Sequence, residues 1–163
     1  MNRPDFTSDS FSDLIPLHSD YGVQIDNVKL SNIGFECGYS ELRSAFETHS
    51  LLYFPNQDIS DEEHLCLGSL FGLREDRTLD ITNPDPAVSI VSNVKEDNKL
   101  LKPDEKRHLD LQANMLWHTD STFLPVPALT NILIGRVIPK SGTSTEFCST
   151  RIAWQEMPES LNP

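Results

Sequence analysis

No histidine occurs after His118, and no cysteine pair has Cys-x-x-Cys spacing. The three cysteines, Cys37, Cys66 and Cys148, are odd in number and far apart. That excludes a disulfide framework and a zinc knuckle, and leaves them as small core or surface residues. No His-Glu-x-x-His occurs either, so a zinc hydrolase lacks its ligand set. Basic residues are scarce: 13 Lys and Arg stand against 25 Asp and Glu, a formal net charge of -12. Such a surface repels phosphate backbones and anionic lipids, so neither nucleic acid nor membrane is an expected partner. No apolar run approaches the ~20 residues that span a bilayer. The polar stretch Met1 to Ser12 lacks the apolar centre of a secretory signal. The expected compartment is the cytoplasm.

What is present is a 163-residue chain, 37% hydrophobic and 23% charged. That is long enough for one domain with a core of its own. Residues 1–13 are rich in Ser and Asp and are expected to be mobile. Tyr21, Val23 and Ile25 alternate with polar residues, a half-buried strand that Val28 and Leu30 continue after a shift. Ser40 to Glu47 reads as a helix with Leu42, Ala45 and Phe46 on one face. Ser50 to Phe54 is a short buried strand closed by Pro55. Ser60 and Glu63 form a capping box for a helix bearing Leu65, Leu67, Leu70 and Phe71, which Gly72 ends. Residues 74–87 read as a long loop, 88–94 as a strand, and the charged run 95–110 as a second long loop. Residues 130–138 read as a central strand and 145–148 as another. Thr150 is placed as the cap of a last helix that Pro158 breaks. Strands bracketing helices without βαβ regularity favour an all-β or α+β core.

The chemistry concentrates in Trp117-His118-Thr119-Asp120. On a strand, His-x-Asp puts both side chains on one face, because the strand period is two. An imidazole nitrogen and a carboxylate oxygen then reach one ion. This supplies two of the three protein ligands of a facial non-haem Fe(II) site, which keeps positions open for a co-substrate and O₂. Spacing alone is weak, since His18-Ser19-Asp20 repeats it. Context separates the copies. His18 lies in a turn before the first strand. His118 lies in an apolar–polar alternation running into a Pro-rich loop. By residue type alone, Thr145 is an ordinary strand residue and Asn114 a turn residue. Trp117 and Trp154 read as core.

Asn114 to Phe123, followed by Pro127-Ala128, resembles the metal-binding segment of the TauD/TfdA family of Fe(II)- and 2-oxoglutarate-dependent dioxygenases. The likeness is greatest to the 2,4-dichlorophenoxyacetate branch. Leu17-His18, Gly22-Val23-Gln24-Ile25, Leu51 to Gln57, Phe71-Gly72, Ile90 to Val94 and Thr145-Glu146-Phe147 are similar to further family segments in order. The likeness covers residues 14 to 158. It implies that His118 and Asp120 are iron ligands and that Thr145 contacts a carboxylate of 2-oxoglutarate. It places Asn114 at the edge of the co-substrate and substrate pocket, with Ser121 and Phe123 lining the substrate side. One departure is the turn Ser141-Gly142-Thr143-Ser144, where the family often has two glycines.

The implied fold is mainly β with flanking helices (α+β), an incomplete double-stranded β-helix of the jelly-roll, cupin-like kind. A full one needs about eight strands. Residues 14–163 would be the N-terminal portion of such a domain, ending before the family's distal His and the Arg that clamps 2-oxoglutarate. Arg136 and Arg151 match other parts of the family. The implied reaction is oxidative decarboxylation of 2-oxoglutarate to succinate and CO₂, coupled to hydroxylation of a small organic acid. An aryloxyalkanoate, a sulfonate or a related carboxylate is expected, with O₂ as co-substrate and a homo-oligomer possible at full length. The alternative is a truncated non-catalytic fragment or binding-only relic of that family.

Overall fold

Valine and isoleucine at every second position commit residues 23–25 to a strand with one face in the core. A computed structural model describes residues 11–74, 88–95, 97–122, 124–142 and 144–161. The expected mobile segment 1–13 lies mostly outside the described residues, as do Phe123 and nearly all of the expected loop 74–87. The chain divides into two compact units. One comprises Met1–Leu70 with Leu133–Pro163, the other Phe71–Ile132.

The first unit holds a three-stranded sheet in the order β1 (Leu14–Pro16), β2 (Val23–Ile25), β3 (Leu52–Tyr53). β1 runs antiparallel to β2, with Leu14 opposite Ile25, and β3 runs parallel to it, with Val23 opposite Leu52. Gly22 turns the chain into β2 at φ 79° and donates to the His49 carbonyl at 2.9 Å. A Cβ there would press on Leu51 at 3.4 Å in a backbone region that disfavours L-residues. Val23, Ile25, Val28 and Ala45 form the core, with Leu14, Ile33, Leu52 and Phe54 packed around them. Burying a side chain such as Ile25 contributes about 1.5–3 kcal/mol. The expected continuation of the strand through Val28 and Leu30 does not form. β2 ends at Ile25, Asn27 adopts φ 61°, a conformation asparagine tolerates better than most residues, and Leu30–Asn32 makes a 3-10 turn.

Helix α1 (Tyr39–His49) buries Leu42 and Ala45 and lies between two left-handed residues, Gly38 and Ser50. α2 (Asp61–Ser69) starts at the expected capping box. The Glu63 N–H donates to Ser60 Oγ at 3.2 Å, and the Ser60 N–H donates to Glu63 Oε2 at 2.7 Å. It ends at Ser69, before Gly72, whose φ is 128°. The short helix Thr150–Gln155 is capped by Ser149, one residue earlier than expected, because the Ser149 hydroxyl accepts from the Ile152 N–H. Arg136 donates to the Ile59 carbonyl and to Asp61 Oδ1, which ties segment 133–138 to the start of α2. Arg151 donates to the Glu47 carbonyl in the last turn of α1.

The second unit carries a turn closed by a single bridge between Val94 and Leu100, and helix α3 (Lys106–Ala113). α3 corrects the expectation of a loop over 95–110. Its residues, KRHLDLQA, are mostly good helix formers but bury none of their side chains. Without an apolar stripe, periodicity could not reveal it.

The expected strands over 88–94, 117–120, 130–138 and 145–148 are absent from the described residues. Leu133 and Val137 are 70% and 89% exposed, and Trp117 and Trp154, expected in the core, are 67% and 57% exposed. Among the described residues these segments have strand-type composition but join no sheet, the Val94–Leu100 bridge staying isolated, and β-propensity acts through paired neighbours. The described residues therefore form a small mixed sheet with helices. The α+β part of the expectation holds and the predominance of β does not.

Candidate metal centre

α3 ends at Ala113, and the next residue, Asn114, donates its backbone N–H to the Asp110 carbonyl at 3.1 Å. The chain then runs irregularly through Trp117 to Asp120. The two expected ligands nevertheless converge. His118 Nε2 lies 3.2 Å from Asp120 Oδ1. Two donors held about 2.1 Å from one ion at right angles are roughly 3.0 Å apart, so the separation fits adjacent positions on a single octahedral metal.

The second ring nitrogen sharpens this. His118 Nδ1 lies 2.7 Å from the Leu116 carbonyl oxygen. A carbonyl only accepts, so Nδ1 carries the proton, and in the neutral ring Nε2 presents a lone pair. That lone pair faces a carboxylate oxygen, a contact that a shared cation, either a proton or a metal ion, can bridge. A backbone carbonyl on Nδ1 is the partner that commonly fixes the tautomer of a metal-ligating histidine.

His18 and Asp20 are built differently. His18 Nδ1 lies 3.5 Å from Asp20 Oδ2, but it already accepts the Asp20 backbone N–H at 3.2 Å. Ser19 Oγ donates to the same carboxylate at 2.5 Å. The nitrogen nearest that carboxylate is spent within its own turn.

On its other side Asp120 accepts from Asn131. The Asn131 Nδ2 group lies 2.8 Å from Asp120 Oδ2. Asn131 escaped the sequence reading because it sits inside the apolar run 130–138. Its signal was a lone amide in that run. Ser121 follows Asp120 directly, is 4% exposed and adopts φ 64°, and its carbonyl accepts from the Leu124 N–H. Asn114 is exposed, and Phe123 lies outside the described residues. Thr145 belongs to the other unit, where it is exposed in a non-strand segment. Tyr21 anchors that segment by donating its phenol to the Phe147 carbonyl at 2.5 Å. Among the described residues no group of three His, Cys, Asp or Glu side chains surrounds a common point.

Residues 13–162 match the family described as "Taurine catabolism dioxygenase TauD, TfdA family". The chain belongs to this family. It is 30% identical over 151 residues to (S)-phenoxypropionate/alpha-ketoglutarate-dioxygenase of Sphingobium herbicidovorans, covering 91% of this chain and 49% of that protein. It is 28% identical over 152 residues to alpha-ketoglutarate-dependent 2,4-dichlorophenoxyacetate dioxygenase of Cupriavidus pinatubonensis, covering 90% and 53%. A crystal structure of AAD-2 in complex with Mn(II) and N-oxalylglycine superposes with a TM-score of 0.60 at 32% identity, covering 71% of this chain and 39% of that one. The chain thus spans about half the length of the curated relatives it matches. Among the described residues no helix of this TauD/TfdA-family chain is long and apolar enough to cross a membrane.

Proposed function

We propose that this chain carries part of the active site of an Fe(II)- and 2-oxoglutarate-dependent dioxygenase acting on a small organic acid. The observation that carries the reading is the His118–Asp120 pair, with Nε2 facing Oδ1 at 3.2 Å and Nδ1 held by a carbonyl. Bound iron would supply O₂ activation coupled to decarboxylation of 2-oxoglutarate into succinate and CO₂. His118 and Asp120 would hold the metal, with His118 locked in the binding tautomer by Leu116. Thr145 would hydrogen-bond a 2-oxoglutarate carboxylate through its hydroxyl. Asn114 would border the co-substrate and substrate pocket, and Ser121 and Phe123 would line the substrate side.

Two relatives are named for phenoxypropionate and 2,4-dichlorophenoxyacetate, which supports an aryloxyalkanoate as substrate class, with sulfonates and related carboxylates next. Residues 14–163 are the N-terminal portion of a jelly-roll dioxygenase domain in this reading, working in the cytoplasm, without nucleic acid, and as a homo-oligomer when complete. A second reading, a binding-only relic of the family, rests on the lack of a third His, Cys, Asp or Glu beside the pair among the described residues.

Binding and turnover separate the two. Anaerobic Co(II) absorption spectra of the purified chain are expected to change on adding the metal, and to change again on adding 2-oxoglutarate. His118→Ala and Asp120→Ala should abolish both changes, and Thr145→Ala only the second. Succinate release with a phenoxypropionate substrate is expected to be far below that of the relatives when the 163 residues act alone. Spectra unaffected by either ligand substitution would refute the metal assignment. Metal and 2-oxoglutarate binding without any turnover would favour the relic.

A further inference from the structure

We infer that Asn131 is a positioning residue for the metal centre, holding Asp120 so that it presents one oxygen only. The inference rests on His118 and Asp120 being metal ligands, and extends that reading to a residue outside the His-x-Asp motif. The two carboxylate oxygens of Asp120 have distinct partners. Oδ1 faces His118 Nε2 at 3.2 Å, and Oδ2 lies 2.8 Å from Asn131 Nδ2. A carboxylate only accepts, so the Asn131 amide must turn its NH₂ end toward Asp120. With Oδ2 engaged by that amide, a swing of Asp120 to bind an ion through both oxygens is disfavoured.

That restriction has a chemical consequence. A facial site must leave positions open for the co-substrate and O₂. A bidentate aspartate would consume one of them. Asn131 also completes a symmetrical support, since each ligand then has one outer partner. The Leu116 carbonyl fixes the His118 ring, and the Asn131 amide fixes the Asp120 carboxylate. Outer partners of this kind are typically worth about 10–100-fold in metal affinity.

Asn131 is itself exposed, so truncating it removes no core packing. This separates positioning from folding in a test. Mn(II) affinity, followed by the paramagnetic signal of the free ion, is measured for the wild-type chain, Asn131→Ala, Asn131→Leu and His118→Ala. The Asn131 side-chain amide resonances are recorded in parallel in metal-free wild type and Asp120→Ala. Both Asn131 variants are expected to bind Mn(II) about 10–100-fold more weakly, with thermal midpoints unchanged. The amide pair is expected to move to free-amide positions in Asp120→Ala. Wild-type affinity in the Asn131 variants, alongside loss in His118→Ala, overturns the inference. An amide pair indifferent to Asp120→Ala overturns it as well. If His118→Ala binds Mn(II) as wild type does, the metal reading fails instead, and the amide resonances still decide whether Asn131 holds Asp120.

Discussion

At Gln57 a single amide serves three backbone atoms. Its Nε2 donates to the Val28 carbonyl at 2.8 Å and the Pro55 carbonyl at 3.1 Å, and its Oε1 accepts from the Leu30 N–H at 3.0 Å. The segment 28–30 lies outside the sheet, so this side chain supplies what a strand neighbour otherwise would. Replacing Gln57 with Leu is expected to lower stability by about 2 kcal/mol, since each net bond is worth ~1 kcal/mol and partly buried groups lose their partners. Gln57→Glu should cost more, because it sets an anion against two carbonyls. Urea midpoints check both, and a Glu variant as stable as wild type would contradict the account. The sequence marked Gln57 by its place after an apolar strand but not by its partners, which are 27 and 29 residues away. The two His-x-Asp copies teach the same lesson. Their spacing is identical and the local backbone engages Nδ1 in both; what separates them is which ring nitrogen faces the aspartate, Nδ1 in the first copy and Nε2 in the second. That depends on the path of the chain, which spacing does not encode.

At the scale of elements, local chemistry was legible and pairing was not. The capping box of α2 is written in four consecutive residues, and it formed as read. α3 was missed because it buries nothing. Its start is held by an ion pair instead. Lys95 Nζ lies 2.5 Å from Glu105 Oε1, at the residue preceding the helix. The hydrogen bond from Lys95 holds the Glu105 carboxyl below its ordinary value. A lowered carboxylate contributes stability that is present above its unfolded value and lost as pH falls through its folded value. The His108 and Leu109 amides, which donate to the Glu105 carbonyl, report on this turn. Their hydrogen exchange is expected to be faster in Glu105→Gln than in wild type at pH 7. The difference should vanish once acid has protonated Glu105. A difference that persists in acid would show that the side chain's shape, and not its charge, holds the turn. The expected strands at 88–94, 130–138 and 145–148, absent from the described residues, fail for a complementary reason. Their composition favours strands, but a strand needs a partner, and composition names none.

Across the whole molecule, the net charge of -12 opposes association while uncovered apolar side chains promote it. In the first unit Leu133 and Val137 are 70% and 89% exposed, and in the second Met115 and Leu116 are 83% and 71% exposed. A chain bearing such side chains is expected to bind a hydrophobic dye and to self-associate as salt screens its charge. Leu133→Lys with Val137→Lys isolates the apolar contribution. Neither position is buried, so stability should stay within about 0.5 kcal/mol of wild type. The double substitution also reduces the net negative charge, and on charge alone it should increase association. If apolar contact dominates, sedimentation will instead show less association and dye binding will fall. The two forces thus predict opposite signs for one pair of substitutions. More association in the double variant at low salt would mean that charge, and not the exposed apolar surface, sets how this chain behaves in solution.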